Sequence, residues 1–161
     1  MVLLLLALLF KMTKVKIHFY RGTHLISYLI RLRTFSEFSH VSIQIDDKIY
    51  ESKEWEGVVC TVPRKSPPAS LVKTFEFNIP KKDLIAWEKW LKSQLDHKYD
   101  YMSILLFAGL PRKYHPDGKW ICSEYAAWFC AKVKILKRKP KKLLSPEALM
   151  LLLSGWQKHS T

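Results

Sequence analysis

One cysteine and one histidine in this sequence have the positions that a nucleophilic catalytic pair requires. Cys122 lies one helical turn before an apolar stripe, so it occupies the N-terminal end of a predicted helix. The stripe consists of Ala126, Phe129, Cys130 and Val133. A helix N-terminus and a neighbouring imidazole both favour the reactive thiolate, and the backbone N–H groups there could hold an oxyanion. His40 opens an alternating strand, so we interpret Cys122 as a nucleophile and His40 as its base.

A short turn decides which carboxylate faces the histidine. If Asp46 and Asp47 form a two-residue hairpin turn, Ser42 pairs with Glu51 on the next strand. Alternate residues of a strand share a face, so His40, Ser42 and Glu51 then lie on one side, with Glu51 diagonal to His40 at about 7–8 Å between backbones. A three-residue loop would invert this parity and turn Glu51 away. With the two-residue turn, the sequence predicts Glu51 as the third member of the catalytic triad.

The elements that carry these residues follow from the hydrophobic pattern. Alternation of apolar and polar side chains predicts strands over residues 15–20, 40–45, 48–51, 58–62 and 71–77. Helical spacing predicts a helix after Thr23, a long helix opened by Pro80, a short one over 101–110, the Cys122 helix and a last one opened by Ser145-Pro146. In the first helix the apolar stripe is Leu25, Leu29 and Leu32, widened by Ile26 and Ile30. This order predicts an α+β fold, in which helices flank a central antiparallel sheet.

The composition fits one globular domain in a reducing compartment. The chain has 161 residues, of which 48% are hydrophobic, enough for a core. Its three cysteines are widely separated and odd in number, which argues against a disulfide scaffold, and no cysteine or histidine spacing suggests zinc. Cys60 is expected to be inert, and Cys130 is expected to be a small buried core residue. For Cys122 taken alone, the same structural role is the alternative to a nucleophile. We predict neither a metal ion nor an organic cofactor.

The first ten residues are almost wholly apolar and have more than one interpretation. The run has no basic segment before it and no small-residue cleavage site after it, and it is too short to span a bilayer. An extra helical turn packed on the body is one interpretation; we prefer initiation at Met12 rather than at Met1. The chain is therefore divided into an N-terminal extension, residues 1–11, and a single domain, residues 12–161. We expect a cytoplasmic protein, with secretion or membrane anchoring through residues 1–10 as the minority interpretation.

The charge of the chain is strongly basic. Its net charge is +13, from 27 basic and 14 acidic residues, and part of the excess is concentrated between Lys132 and Lys142. Such a run can attract phosphate backbones or anionic lipid head groups, although a solvated helix end is the simpler interpretation. No nucleic-acid-binding motif accompanies the run, so no specific nucleic acid is predicted. A basic module that binds nucleic acid or an anionic membrane, with a structural cysteine, is the main alternative to an enzyme.

Six short motifs carry a resemblance to a known family. They are Phe19-Tyr20-Arg21-Gly22, Phe38-Ser39-His40-Val41, Ile49-Tyr50-Glu51, Tyr99-Asp100-Tyr101, Trp120-Ile121-Cys122-Ser123-Glu124 and Ser145-Pro146. By their order and spacing, the chain from Val15 to about Leu152 resembles the permuted NlpC-type cysteine hydrolases, the YiiX-like branch of the papain-like fold. It is similar especially to small members encoded by bacteria and their phages, and lecithin:retinol acyltransferases are relatives. Circular permutation places histidine before cysteine in this branch.

The resemblance implies both a fold and a set of roles. The fold would be a circularly permuted papain-like one, with a central antiparallel sheet or partial barrel. Cys122 would be the nucleophile, His40 the base and Glu51 the third polar member, while Tyr20 would correspond to a tyrosine on the oxyanion side. Acyltransferase relatives have a second histidine at the third position, so Glu51 favours a hydrolase. Members act on amides, peptides including cell-wall peptides, or acyl esters, and an inactive homologue is a further alternative.

Overall fold

A computed structural model describes residues 11–63, 65, 70–106, 118–138 and 144–158 of the chain. Seven strands are found in these residues: β1 Met12–Tyr20, β2 His40–Ile45, β3 Lys48–Lys53, β4 Gly57–Thr61, β5 Leu71–Pro80, β6 Lys98–Tyr99 and β7 Lys119–Trp120. The same residues contain five helices: α1 Leu25–Thr34, α2 Lys81–Ser93, α3 Tyr101–Leu106, α4 Cys122–Lys132 and α5 Pro146–Lys158. The α+β class is therefore confirmed.

Strands β1 to β5 form one antiparallel sheet in the order β4-β3-β2-β1-β5, and the short strands β6 and β7 pair in parallel beside it. The sheet is open, with β4 and β5 at its edges, and it does not close into a barrel. Alternation along β1 gives the sheet two chemically different faces. Val15, Ile17 and Phe19 are buried in the core, whereas His18 and Tyr20 lie on the opposite, polar face.

The Cys122 helix, α4, is enclosed on most sides. It packs against β2 and β3 of the sheet and against α2 and α5. Its buried residues are Cys122, Ser123, Tyr125, Ala126, Ala127, Phe129 and Cys130. A helix that packs on several sides has to be apolar or small nearly all round, which explains this sequence. The packing also brings the first turn of α4 close to the beginning of β2.

The predicted hairpin turn is confirmed. Ser42 pairs with Glu51 and Ile45 with Lys48, so Asp46 and Asp47 are the two connecting residues. Asp46 has a φ of 50°, a left-handed conformation that aspartate tolerates better than most residues and that such tight turns need. The register that carries Glu51 to the histidine side of the sheet follows from this turn.

Helix α1 turns a different face inward than its leucine spacing suggests. Leu25, Leu29 and Leu32 are exposed, while Ile26 and Ile30 point toward the protein. Both isoleucines pack in a small cluster whose other members are Tyr99, Tyr101, Ile104 and Ile121. Apolar residues lie nearly all round α1, so periodicity alone could not choose between its faces. The choice depends on contacts with residues that are distant in sequence.

Several sequence predictions fall outside the described residues. These are the N-terminal run 1–10, residues 107–110 of the predicted 101–110 helix, and residues 139–142 of the basic run. Strand β1 begins at Met12, three residues before the predicted start, because it continues to pair with β5 as far as Pro80.

Of the helices in the described ranges, none has the length and hydropathy needed to cross a membrane.

Candidate active site

Cys122 is the first residue of α4 and lies beside the beginning of β2, an interior strand of the sheet. Its side chain is buried, and its Sγ is 4.0 Å from the backbone oxygen of Ser39, the residue that precedes β2. The N-cap residue, Ile121, provides no side-chain hydrogen bond to the first turn. The free backbone amides of the first turn and the positive end of the helix dipole are therefore close to the thiol. This is the location that the sequence predicted for a nucleophile.

His40 lies between the cysteine and a carboxylate. Its Nε2 is 2.7 Å from Oε2 of Glu51, and Cys122 lies close enough to act on the pKa of the imidazole. Because Nε2 is engaged by Glu51, Nδ1 is the ring nitrogen that remains for the thiol. The ring is partly buried, which by itself lowers the pKa of His40, but the hydrogen bonds and charges of Cys122 and Glu51 outweigh burial and raise this pKa to about 10.

Glu51 is held from both sides. One carboxylate oxygen contacts His40 and the other is 3.4 Å from Nζ of Lys53. Burial acts to raise the pKa of Glu51, but the hydrogen bond and charge of His40, together with the ammonium of Lys53, hold it below its usual value. A side chain that is 11% exposed thus keeps its negative charge at neutral pH. The structure brings together Cys122, His40 and Glu51, the three predicted triad residues.

Tyr20 stands beside the triad. It pairs with His40 across β1 and β2, and the two ring centroids are 5.6 Å apart. The tyrosine hydroxyl lies 3.0 Å from Oγ of Ser42, the buried serine of the same face. Tyr20 therefore borders the site, next to the imidazole, and its predicted part in oxyanion binding stays a prediction.

A contact between a serine and a glycine supports the start of β2. The sequence pattern did not predict it. The Oγ of Ser39 accepts a hydrogen bond from the N–H of Gly22 at 2.8 Å, and the N–H of Ser39 donates to the oxygen of Tyr20 at 2.9 Å. A Cβ at Gly22 would clash with Ser27 and crowd Ser39. The contact fixes the backbone of Ser39, whose oxygen touches Cys122. Gly22 and Ser39 occur in the quoted motifs, but nothing in the pattern indicated that they meet.

The other cysteines are remote from this arrangement. Cys60 is exposed on the edge strand β4, and Cys130 is fully buried in the last turn of α4. Burial raises the pKa of the Cys130 thiol far above its usual value. His18, on the polar face, has both ring nitrogens occupied, by Thr74 and Gln44 at 2.8 Å each. Neither cysteine and no atom of His18 takes part in the triad.

The described residues contain no group of three or more histidine, cysteine, aspartate or glutamate side chains arranged to hold a metal ion. No protein-family model matches the chain. No curated protein resembles it closely enough in sequence to count as a match. Function is therefore inferred from the geometry and chemistry of the site.

Proposed function

We propose that the protein is a cysteine-dependent hydrolase of amide or ester bonds, and that Cys122, His40 and Glu51 are its catalytic triad. The observation that carries the proposal is the 2.7 Å contact between Nε2 of His40 and Oε2 of Glu51, with Cys122 near enough to the same imidazole to raise its pKa. This is the arrangement by which a base, oriented by a third group, activates a nucleophile. The raised pKa of His40 fits an imidazolium beside the Cys122 sulfur at neutral pH.

The reaction would proceed in two steps. The thiolate of Cys122 attacks the substrate carbonyl carbon, forming a C–S bond while the carbonyl electrons move to oxygen. Collapse of this intermediate breaks the bond to the leaving amine or alcohol, which takes the proton of His40, and leaves a thioester. Neutral His40 then removes a proton from water as the water oxygen attacks the thioester carbonyl. Breakage of the C–S bond releases the acid and restores the thiolate–imidazolium pair.

The negative oxygen formed in both steps needs hydrogen-bond donors. The first-turn amides of α4 lie beside the thiol and are the most direct donors. Tyr20 is the second candidate, since its ring borders His40 and its hydroxyl, 3.0 Å from Oγ of Ser42, lies on the same face of the sheet. Preorganised donors of this kind typically contribute 10²- to 10³-fold to turnover.

The proposed family is the permuted NlpC-type, YiiX-like branch of the papain-like fold. Three features support it: histidine precedes cysteine in the chain, the cysteine opens a helix packed on the sheet, and the histidine opens the strand that this helix contacts. A carboxylate as the third member favours hydrolysis over acyl transfer. The substrate classes are accordingly amides, peptides including cell-wall peptides, and acyl esters. The free state of all three cysteines is consistent with a reducing compartment such as the cytoplasm.

One experiment separates the enzyme from a basic binding module. Purified protein is incubated with a mixed library of amide, cell-wall peptide and acyl-ester substrates, beside Cys122→Ala and, as a matched control, Cys60→Ala. The proposal expects turnover by wild type and Cys60→Ala and none by Cys122→Ala. Equal product from all three would refute it, and strongly salt-sensitive nucleic-acid binding without turnover would favour the module.

A further inference from the structure

An aromatic-edged cavity of about 370 Å³ lies beside the turn that follows the Glu51 strand. Trp55, in this turn, and Tyr101, at the start of α3, form one wall, with their ring centroids 5.6 Å apart. The indole of Trp55 is 84% exposed, which is unusual for so large an apolar side chain. An exposed ring at a cavity edge is a surface on which a flat group can stack.

The position of Trp55 is fixed by its backbone. Its φ of 69° is left-handed, a conformation that is an outlier for a bulky residue and that tends to mark functional sites. The N–H of Trp55 donates to the hydroxyl of Tyr101 at 2.8 Å. Two residues later, Gly57 leaves no room for a Cβ against the backbone oxygen of His97. These contacts hold the turn in place, and they fix the point at which the Trp55 side chain leaves the backbone.

The cavity adjoins the nucleophile through two elements. Tyr99 lines it and belongs to the same apolar cluster as Ile121, the residue directly before Cys122. Lys119 also lines the cavity. It lies on β7, the strand that pairs with the Tyr99 strand, and it precedes Cys122 by three residues, about 10 Å of extended chain. A substrate group bound in the cavity would therefore be one or two substrate residues away from the bond that Cys122 attacks.

Two lysines lie side by side in the lining. Lys98 and Lys119 are directly paired on β6 and β7, and both are exposed. Like charges placed opposite each other repel, and neither ammonium has an ion-pair partner among the described residues. The described lining also contains two carboxylates, Glu56 and Asp96, which balance the two lysines in formal charge. The part of the lining suited to an anion is therefore the pair Lys98–Lys119, where two ammonium groups are neighbours.

We propose that this cavity is a substrate subsite, which binds a flat ring bearing a carboxylate next to the bond that is cleaved. The ring stacks on Trp55, and the carboxylate lies between Lys98 and Lys119. This inference rests on the proposed function for its place in catalysis, since the scissile bond is defined by Cys122. The binding itself requires no turnover and is measured separately.

Binding is tested on the full-length Cys122→Ala protein with two probes. N-succinyl-phenylalanine amide offers a ring and a carboxylate, whereas N-acetyl-phenylalanine amide offers only the ring. Titrations are followed by the indole N–H resonances in ¹H–¹⁵N spectra, with the Trp55 signal assigned from Trp55→Phe. We expect the Trp55 signal to shift and the succinyl probe to bind about tenfold more tightly than the acetyl probe.

Matched variants make the outcome decisive. Lys98→Ala/Lys119→Ala should abolish the preference for the succinyl probe, while Lys82→Ala/Lys89→Ala, which removes the same charge from α2, should preserve it. Trp55→Ala, which lacks the reporting indole and is therefore titrated by calorimetry, should weaken both probes, and Phe35→Ala, which removes another ring that is 93% exposed, should weaken neither. Equal affinity of the two probes, or an unchanged preference after loss of Lys98 and Lys119, would overturn the subsite. Probe binding without any turnover by the wild type would overturn the proposed function instead.

Discussion

Nε2 of His40 and Oε2 of Glu51 are 2.7 Å apart, although they belong to different strands. The contact depends on the two-residue turn between β2 and β3, which sets Ser42 opposite Glu51 and leaves Glu51 diagonal to His40. It fixes which ring nitrogen is occupied and so leaves the other one available to Cys122. A local feature of the chain, the length of one turn, thereby determines the geometry of the whole site.

The first prediction concerns the reactivity of the three thiols. Cys122 should be alkylated by iodoacetamide much faster than Cys130, because Cys122 faces an imidazolium and a helix N-terminus whereas burial raises the pKa of Cys130. Rates for each cysteine are measured from pH 5 to 9 by peptide mass spectrometry. Cys60, which is exposed, serves as the accessibility control. Equal reactivity of Cys122 and Cys60 across this range would argue against a nucleophile at Cys122.

The second prediction concerns the carboxylate. Glu51→Gln should retain a residual rate on the order of a hundredth of wild type, because the third member of a triad orients the base and stabilises its charge without taking part in bond formation. His40→Ala should lose more. Glu54→Gln is the control, since Glu54 lies in the next turn, with its pKa raised by burial in spite of the charges of His40 and His24. The assignment would be wrong if Glu54→Gln were inactive and Glu51→Gln fully active.

The third prediction is a pH dependence of stability. The pKa of His40 rises from 6.5 to about 10 on folding, so the folded state binds the proton more tightly. The resulting stabilisation is complete below pH 6.5 and is lost as the pH rises through about 10. The difference in unfolding free energy between wild type and His40→Asn should therefore shrink across this interval, measured by urea titration. A difference that stays constant from pH 6 to 10 would contradict the raised pKa.

The fourth prediction concerns the support behind the site. Gly22→Ala should destabilise the protein by about 1–3 kcal/mol, because an added Cβ displaces Ser27 and Ser39. Turnover should fall as well, since Ser39 positions the backbone oxygen that touches Cys122.

Gly155→Ala is the matched control for this prediction. An added Cβ there meets no described atom within 4 Å, and alanine is favoured over glycine in a helix by about 1 kcal/mol. Thermal unfolding should thus move in opposite directions for the two variants. Unchanged stability and turnover in Gly22→Ala would remove the positioning role from the Gly22–Ser39 contact.

Local patterns were sufficient for part of this structure. The α+β order, the two-residue turn and the position of Cys122 at a helix start all depend on residues close together in sequence, and all three were predicted. The inward face of α1 was not predicted, because contacts with distant residues such as Ile121 determine that Ile26 and Ile30 face inward. The Gly22–Ser39 hydrogen bond and the Trp55–Tyr101 pair also join distant segments. Sequence periodicity carries no information about such meetings.

The central claim, that Cys122 forms a thioester with the acyl part of its substrate, is tested most directly by intact-protein mass spectrometry. The wild-type protein is mixed with an acyl donor that it turns over, quenched in acid within the first turnover, and digested to locate the adduct. We expect an added acyl mass on the peptide that contains Cys122, and none in Cys122→Ala. Turnover that persists in Cys122→Ala, or an acyl group found only at Cys60 or Cys130, would contradict the claim.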